Sequence, residues 1–434
     1  MKSTASTFAM FALTLVASAQ GDEDGWARVG GHAMRRVDVD VGAIGVSVAW
    51  NVPAADDHGA ARALAHAAAM HRAACADRAL PARARTQVEI GEGFCLFSAW
   101  LPEEAAAAAP VWLTALCGLS DADRDGDLVA RSLALSALAA DDAQWLYPGE
   151  SLQCTLRRAA FEPGDPRAFG LLGDAKALLE AKPAEFVASL AAPPPGGLTV
   201  ACVGAKRHGD AIASALQSIP SGPAPLAART GPVRAPDAAG LQFVEHPRID
   251  AHYVACAMPA PVAPLTLARL CAVETMRTRA RSRYQTPRGN EALARAPFVQ
   301  HEALLEDPLL VLFRRGVHGS PADLPRRELE ELAGSMVLPT QAAEFASSVA
   351  IVRAEHAAPP YTDGQLAALR AAPASAATRA RSLVLLARRG IRDAAVRALV
   401  DLRSQDVDAE LRAFSTGPKF WAGLAPKFVD PLGG

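Results

Sequence analysis

Hydrophobic and polar positions alternate, then cluster, in an order that predicts most of the elements of this chain. Val37 to Trp50, "VDVDVGAIGVSVAW", is rich in β-branched residues and alternates in its later half. It predicts two short strands around Gly42, the second ending at Asn51-Val52-Pro53. After the polar Asp56, Asp57 and His58, an alanine-rich helix is predicted from near Gly59. "TQVEIGEGFCLFSAWLP" reads as a hairpin turning at Gly91–Gly93. Helices are predicted over Glu103–Leu119 and Leu128–Ala139, with the acidic loop "DADRDGD" between them. "DAKALLEAKPAEFVASLA" is helical on either side of Pro183, Gly196–Gly204 is a buried strand, and Asp210–Gln217 is a helix.

From Pro220 to Gly240 the chain is rich in Pro, Gly and Ala with no apolar period, which predicts an interdomain linker. A second round follows. "LQFVEH" and "AHYVACAMP" are strands, Pro264–Tyr284 is a helix, and "APFVQHEALL" with "DPLLVLFRRG" forms a strand pair. Helices around Arg326–Gly334 and Thr340–Arg353 complete it. The order of elements roughly repeats that of the first half, at long spacing rather than as a short sequence repeat. Beyond Asp363 the pattern is helical. "ATRARSLVLLARRG" and "IRDAAVRALVDLRSQ" meet at Gly390 like one unit of a helical solenoid. The fold class that follows is α+β: two similar mixed α/β halves, residues 28–219 and 241–358, with a short C-terminal helical segment over 363–434.

With 434 residues, half of them hydrophobic, the chain can bury two cores. A formal net charge of -2 argues against a nucleic-acid partner, which would require a concentrated basic face. Arg277, Arg279, Arg281 and Arg283 form a local basic run, but alternate residues spread round a helix, and a solvated face is expected. The N-terminus, "MKSTASTFAMFALTLVASAQGDEDG", places Lys2 before an apolar run from Phe8 to Ala17 and then Ala17-Ser18-Ala19. This is the layout of a signal peptide over residues 1–19, implying export to a periplasm or beyond and a mature chain from near Gln20; an uncleaved anchor is the alternative. The apolar run is half of what a spanning helix needs, and no later segment is long and apolar enough. Seven cysteines without a CxxC spacing, mostly inside apolar runs, read as buried thiols. One or two disulfides are also compatible with export, and sequence does not pair them.

The helix after Gly59 carries the chemistry worth weighing. Within "DDHGAARALAHAAAMHRA", Arg62 and His66 lie four apart on one helix face, with Ala65 between them. Strand "GVSVAWNVP", the turn "AADDH", Gly59 and "RALAH" resemble the corresponding run of the pitrilysin/insulinase family of inverzincin metallopeptidases, whose helix holds H-x-x-E-H. The later segment from Arg167 through Val200–Gly204 resembles the family's closing pattern for its first half, and the resemblance spans roughly Arg28 to Glu355. It implies paired α+β domains around a chamber, and zinc held by two His and a downstream Glu, with the Glu of the motif as general base.

Carried over by position, Arg62 replaces the first His and Ala65 the base, and only His66 matches. A guanidinium has no lone pair for a metal. The helix expected to supply the third ligand, read as Leu128–Ala139, contains no carboxylate. The resemblance therefore implies a catalytically degenerate member with no catalytic residue, no zinc and no resident cofactor. His66 and His71 are five apart on the helix and His58 precedes it, so solvated or locally bonded histidines are expected rather than another metal set. Asp121, Asp123 and Asp125 match the first half of a calcium loop, but its twelfth position is Ser132; an interhelix turn is expected, with weak calcium binding as the alternative.

Family members of this size often act in pairs, the second subunit supplying an Arg and a Tyr seven residues later that grip substrate. Arg277 and Tyr284 have that spacing, although an alignment on Arg288-Gly289 leaves no Tyr in place. The resemblance thus implies a non-catalytic protein that binds a zinc-bearing partner subunit of the same family, peptides, or both. The alternative is an exported scaffold that associates through its C-terminal helices.

Overall fold

The computed structural model describes residues 25–52, 58–82, 84–91, 93–146, 148–162, 165–168, 172–224, 233–236, 241, 243–246, 249–259, 266–284, 297–301, 309–316, 323–356, 361–391, 396 and 398–427. The predicted signal peptide, the turn predicted at 53–57, Arg288-Gly289 and most of the second predicted C-terminal helix (392–395 and 397) lie outside them.

The first sheet is built around β3 (Ala43–Asn51), a strand buried on both faces. Its pleat sorts residues by size. Ile44, Val46, Val48 and Trp50 enter one core cluster, whereas Gly45, Ser47 and Ala49 present a low, smooth opposite face. The other strands are β1 (Trp26–Val29), β2 (His32–Asp38), β4 (Gln87–Gly91), β5 (Phe94–Pro102) and β6 (Leu198–Gly204), in the order β1-β2-β6-β3-β5-β4. The closing strand β6 slots between β2, to which it is parallel, and β3, to which it is antiparallel. Helices α1 (His58–Ala76), α2 (Ala108–Cys117), α3 (Gly126–Leu146), α4 (Pro148–Ala160), α5 (Ala175–Glu180), α6 (Pro183–Ala191) and α7 (Lys206–Ser218) complete the first half of the chain. Apolar stripes of α1, α2 and α7 cover the large-residue face of the sheet.

The second sheet contains β7 (Phe243–His246), β8 (Tyr253–Pro259), β9 (Phe298–His301) and β10 (Leu309–Arg315), together with β11 (Phe420–Pro426). Its order is β7-β11-β8-β10-β9, with β11 parallel to β7 and antiparallel to β8. This repeats the first sheet strand for strand apart from β1. The helices of the second half are α8 (Leu267–Tyr284), α9 (Leu324–Gly334), α10 (Ala342–Glu355), α11 (Asp363–Ala371), α12 (Ser375–Arg388) and α13 (Ser404–Thr416). Side chains of α8, α9 and α13 form the core on one face of this sheet.

The sequence boundaries need correction here. The second half does not close at residue 358, and the stretch from Asp363 is not a separate helical segment. Strand β11 is an interior strand of the second sheet, and α13 packs on α8 beneath it. Nor does α12 stand as half of a solenoid unit. It lies across the smooth face of the first sheet, where Ala376, Ala380, Leu383, Val384 and Leu385 meet Val37, Ala49, Phe94, Leu96 and Val203. Gly45 makes this approach possible: a Cβ there would fall 2.2 Å from the Ala376 carbonyl carbon. Buried Ser47 bonds Ser98 at 2.7 Å, so the polar atoms beneath the helix are satisfied.

The exchange is reciprocal. Helix α4, which belongs by sequence to the first half, sends Leu152, Leu156 and Ala160 against Ala255, Ala257, Leu309 and Val311 of the second sheet. Each sheet is covered on one face by its own helices and on the other by a helix from the other half. Each fully buried Leu contributes ~1.5–3 kcal/mol, so neither half is self-sufficient once its crossing helix is removed.

Candidate functional site

Helix α1 is buried nearly all round. One side packs against α3, α5 and α6 through Ala63, Ala67 and Cys75; the other packs on the first sheet through Ala69, Ala73 and Ala76. The polypeptide preceding α5 runs against its start. Gly173 adopts φ +77, and a Cβ there would lie 2.3 Å from Ala63 N. Further along, the buried Arg72 guanidinium stacks 4.0 Å over the Trp50 ring. It donates to Leu116 O at 3.0 Å and Leu190 O at 2.6 Å, tying the helix to the C-terminal turns of α2 and α6.

Arg62, His66, Ala69 and Ala73 follow at i, i+4, i+7 and i+11, one stripe of α1. Arg62 is 6% exposed and His66 4%. Burial pushes the His66 imidazole down to about 4, so it is neutral at pH 7, and its Nδ1 has no hydrogen-bond partner among the described residues. Ala65 is half-buried against the sheet core, and its carbonyl accepts from the Cys95 thiol at 3.8 Å. The three motif positions therefore come together as one permanent cation, one neutral imidazole and one methyl group.

This donor set does not fit zinc. A protonated guanidinium repels the ion and offers no lone pair, and Ala65 cannot hold or move a proton. Helix α3 is longer than the Leu128–Ala139 read from the sequence and reaches Asp141 and Asp142 before ending at Leu146. The statement that this helix lacks a carboxylate thus holds only for its first part. Asp141 is exposed, and the Asp142 side chain lies outside the described residues. No group of three His, Cys, Asp or Glu that could hold a metal occurs among the described residues.

The other sequence candidates are placed as follows. His71 sits on a different face from His66, with Nδ1 against Ser132 Oγ at 2.8 Å and Nε2 against Asp123 O at 2.7 Å, which ties α1 to α3 and to the turn before it. The His58 side chain is outside the described residues. In the acidic loop, Asp123 accepts from the Ser120 backbone and hydroxyl and pairs with Arg78 at 2.5 Å. Asp125 Oδ1 accepts from the Asp127 N–H at the start of α3, and the exposed Asp121 lies 3.8 Å from Arg124 Nη1. Two of the three carboxylates therefore serve the turn. All seven cysteines are free thiols.

Arg277 is half-buried on α8. Its guanidinium is bonded to Glu274 and donates to Val299 O at 3.2 Å, so it is already committed within its own domain. Tyr284 ends α8, and its side chain lies outside the described residues. The basic run is not one solvated face: Arg279 is 6% exposed and binds Glu344 and the carbonyls of Ser335, Leu338 and Pro339. Arg281 is the exposed member, and the Arg283 side chain is outside the described residues.

One feature carried no signal in the sequence. A cavity of about 370 Å³ lies between α8, α10 and α12, where Glu274, Arg277, Glu355, His356, Arg381 and Arg389 converge. These residues come from three helices and are spread between positions 274 and 389, and only folding brings them together.

No protein-family model matches the sequence, and neither does any curated protein. Solved structures do match the fold. A protease from Helicobacter pylori superposes with a TM-score of 0.69 at 12% identity, over 93% of this chain and 99% of its own. A chain of complex III from Candida albicans gives 0.65 at 12% identity, covering 92% of this chain and 95% of its own. An M16 peptidase inactive domain from Pseudomonas fluorescens gives 0.62 at 12% identity, with coverages of 93% and 98%. The chain has the fold of the M16 peptidases, the pitrilysin/insulinase architecture implied by its sequence, and that fold also occurs in an inactive domain.

Proposed function

We infer that this chain is a non-catalytic, exported protein of the peptidase fold that works by binding a zinc-bearing subunit of the same fold, peptides, or both. The observation that carries this reading is the α1 stripe. Where peptide hydrolysis requires two neutral imidazoles and a carboxylate base, the chain places buried Arg62, Ala65 and a single buried His66. Around these positions the helix is held firmly, by the Gly173 close approach and the Arg72 anchor, yet it offers no group that could hold zinc or act as the base.

Two further observations support the pairing and export. The H. pylori protease and the complex III chain are matched over nearly their full lengths, so the fold serves both as an enzyme and as a chain of a larger complex. The leader-like residues 1–19 are followed by a chain in which no helix of the described residues is long and apolar enough to cross a membrane. The scaffold reading, association through detachable C-terminal helices, gains no support, because α12 covers a face of the first sheet and β11 is an interior strand of the second.

The test is reconstitution. The chain is mixed with a zinc-bearing protein of this fold from the same source, and peptide hydrolysis and co-elution are measured. A stable complex whose hydrolysis exceeds that of the zinc-bearing chain alone supports the reading. Independent elution with unchanged hydrolysis, together with no affinity for unfolded peptides, removes it.

A further inference from the structure

Helix α3 leaves an apolar stripe in water. Its inner side is settled, with Val129, Leu133 and Ala137 buried against α1, α5 and α6. The opposite side exposes Leu135 and Leu138, each by 56%, with Ala130, Ala134 and Ala139 beside them. A surface helix ordinarily turns polar residues outward, and two leucines one turn apart at this exposure mark a contact face.

The charges that frame the stripe select its occupant. Arg131, Ala134, Leu138 and Asp141 are all exposed and follow at spacings of three, four and three, the seam of a helix that packs lengthwise on another helix. The cation stands before the apolar centre and the carboxylate after it. Arg131 and Asp141 are equidistant from Ser136, and so are Ala134 and Leu138. Neither Arg131 nor Asp141 makes a hydrogen bond or ion pair among the described residues. When a second α3 is laid on this face in the antiparallel sense, Arg131 of each copy meets Asp141 of the other. The small Ala134 then receives Leu138, and the two Leu135 side chains flank the seam on the same side. A parallel pair would instead set arginine against arginine and aspartate against aspartate.

We propose that the outer face of α3 is a self-association surface, on which a second copy of this chain packs its own α3 antiparallel about a two-fold axis at Ser136. Such an isologous contact closes at two chains. One helix seam is smaller than a standard interface of ~1,600 Å², and a dissociation constant of ~10–100 µM is expected. The surface uses none of the zinc-motif positions and needs no zinc-bearing subunit, so it stands or falls apart from the proposed function.

Sedimentation velocity of the chain from Gln20 onward, between ~5 and ~300 µM, tests it. Leu138→Glu is expected to weaken the dimer at least ~10-fold at an unchanged thermal midpoint, because the side chain lies in solvent rather than in the core. Val111→Glu, at an equally exposed apolar position on α2, is expected to leave the dimer unchanged. Charge exchange is the sharpest arm. Arg131→Asp and Asp141→Arg each put like charges at both ends of the seam, and each alone is expected to associate at least ~10-fold more weakly than the wild type. Mixed together, the two variants set an arginine against an aspartate at both ends, and a heterodimer at least ~10-fold tighter than either homodimer is expected. A wild type that stays monomeric at ~300 µM, a dimer that survives Leu138→Glu or is lost equally in Val111→Glu, or charge variants that gain nothing on mixing overturns the proposal.

Discussion

Replacing His66 by leucine should leave the protein at least as stable at neutral pH and remove a defined part of its acid sensitivity. His66 is buried, and its pKa falls from 6.5 to about 4 because the interior penalises the charged ring. Above pH 6.5 neither the folded nor the unfolded state protonates it, and its contribution is flat. As pH falls from 6.5 to about 4, the unfolded imidazole takes up a proton that the folded one refuses, so stability drops. At ~1.4 kcal/mol per pH unit the full loss is about 3 kcal/mol, and about 2 kcal/mol of it is reached by pH 5. His356 is depressed to about 4 by the same cause and Glu355 is perturbed the opposite way, but both are unchanged in the variant and cancel in the comparison. The assay is urea unfolding of the wild type and His66→Leu at pH 7.5 and pH 5. The wild type is expected to lose ~2 kcal/mol more than the variant between the two pH values. At pH 7.5 the variant should be equal or better, since leucine removes a buried Nδ1 that lacks a partner, a defect costing ~1–3 kcal/mol. Equal pH slopes, or a variant several kcal/mol weaker at pH 7.5, would refute the picture of a buried, unliganded imidazole.

Other expected outcomes follow from the crossed helices. Gly45→Ala should destabilise the chain by ~1–3 kcal/mol in urea unfolding, because the methyl group collides with the α12 backbone rather than with a side chain that can turn away. Deleting residues from Asp363 onward should abolish cooperative unfolding of both sheets, read by hydrogen exchange, since it strips α12 from one and β11 from the other. A double-mutant cycle of Glu89→Gln with Arg381→Gln should give a coupling of only ~0.5–1 kcal/mol that shrinks in high salt, as both partners are part-exposed.

The local pattern carried much of this architecture. β3, the β4–β5 hairpin, β8, β10 and the long helices α1 and α8 fall close to where alternation and apolar periodicity place them. Leu152, Leu156 and Ala160 also recur at helical spacing, and they mark α4. Strand β11, "FWAGLAP", is short and contains glycine and proline, so it reads as a tail until its partners β7 and β8 are in place. What no periodicity reveals is which face a helix will cover. The small residues Gly45, Ser47 and Ala49 on one side of β3, and Ala255 and Ala257 on one side of β8, were the only trace of the exchange between halves. At the zinc-motif positions the residue types decide the chemistry, and Arg62, Ala65 and His66 were legible before the fold was. The charged cavity was not, because its members come from three helices and no local motif links Glu274 to Glu355 or Arg381.

The central claim is that the Arg62, Ala65 and His66 positions of α1 hold no zinc. The most direct test is the zinc content of the protein from Gln20 onward, purified with trace zinc and no chelator and measured by mass spectrometry alongside thermal unfolding with and without excess zinc. The account expects a zinc-to-protein ratio near zero and a midpoint that zinc does not raise, because only a ligand that binds the folded state adds stability. About one zinc per chain, held against dialysis and raising the midpoint, would mean that His66 has found other ligands, and would contradict it.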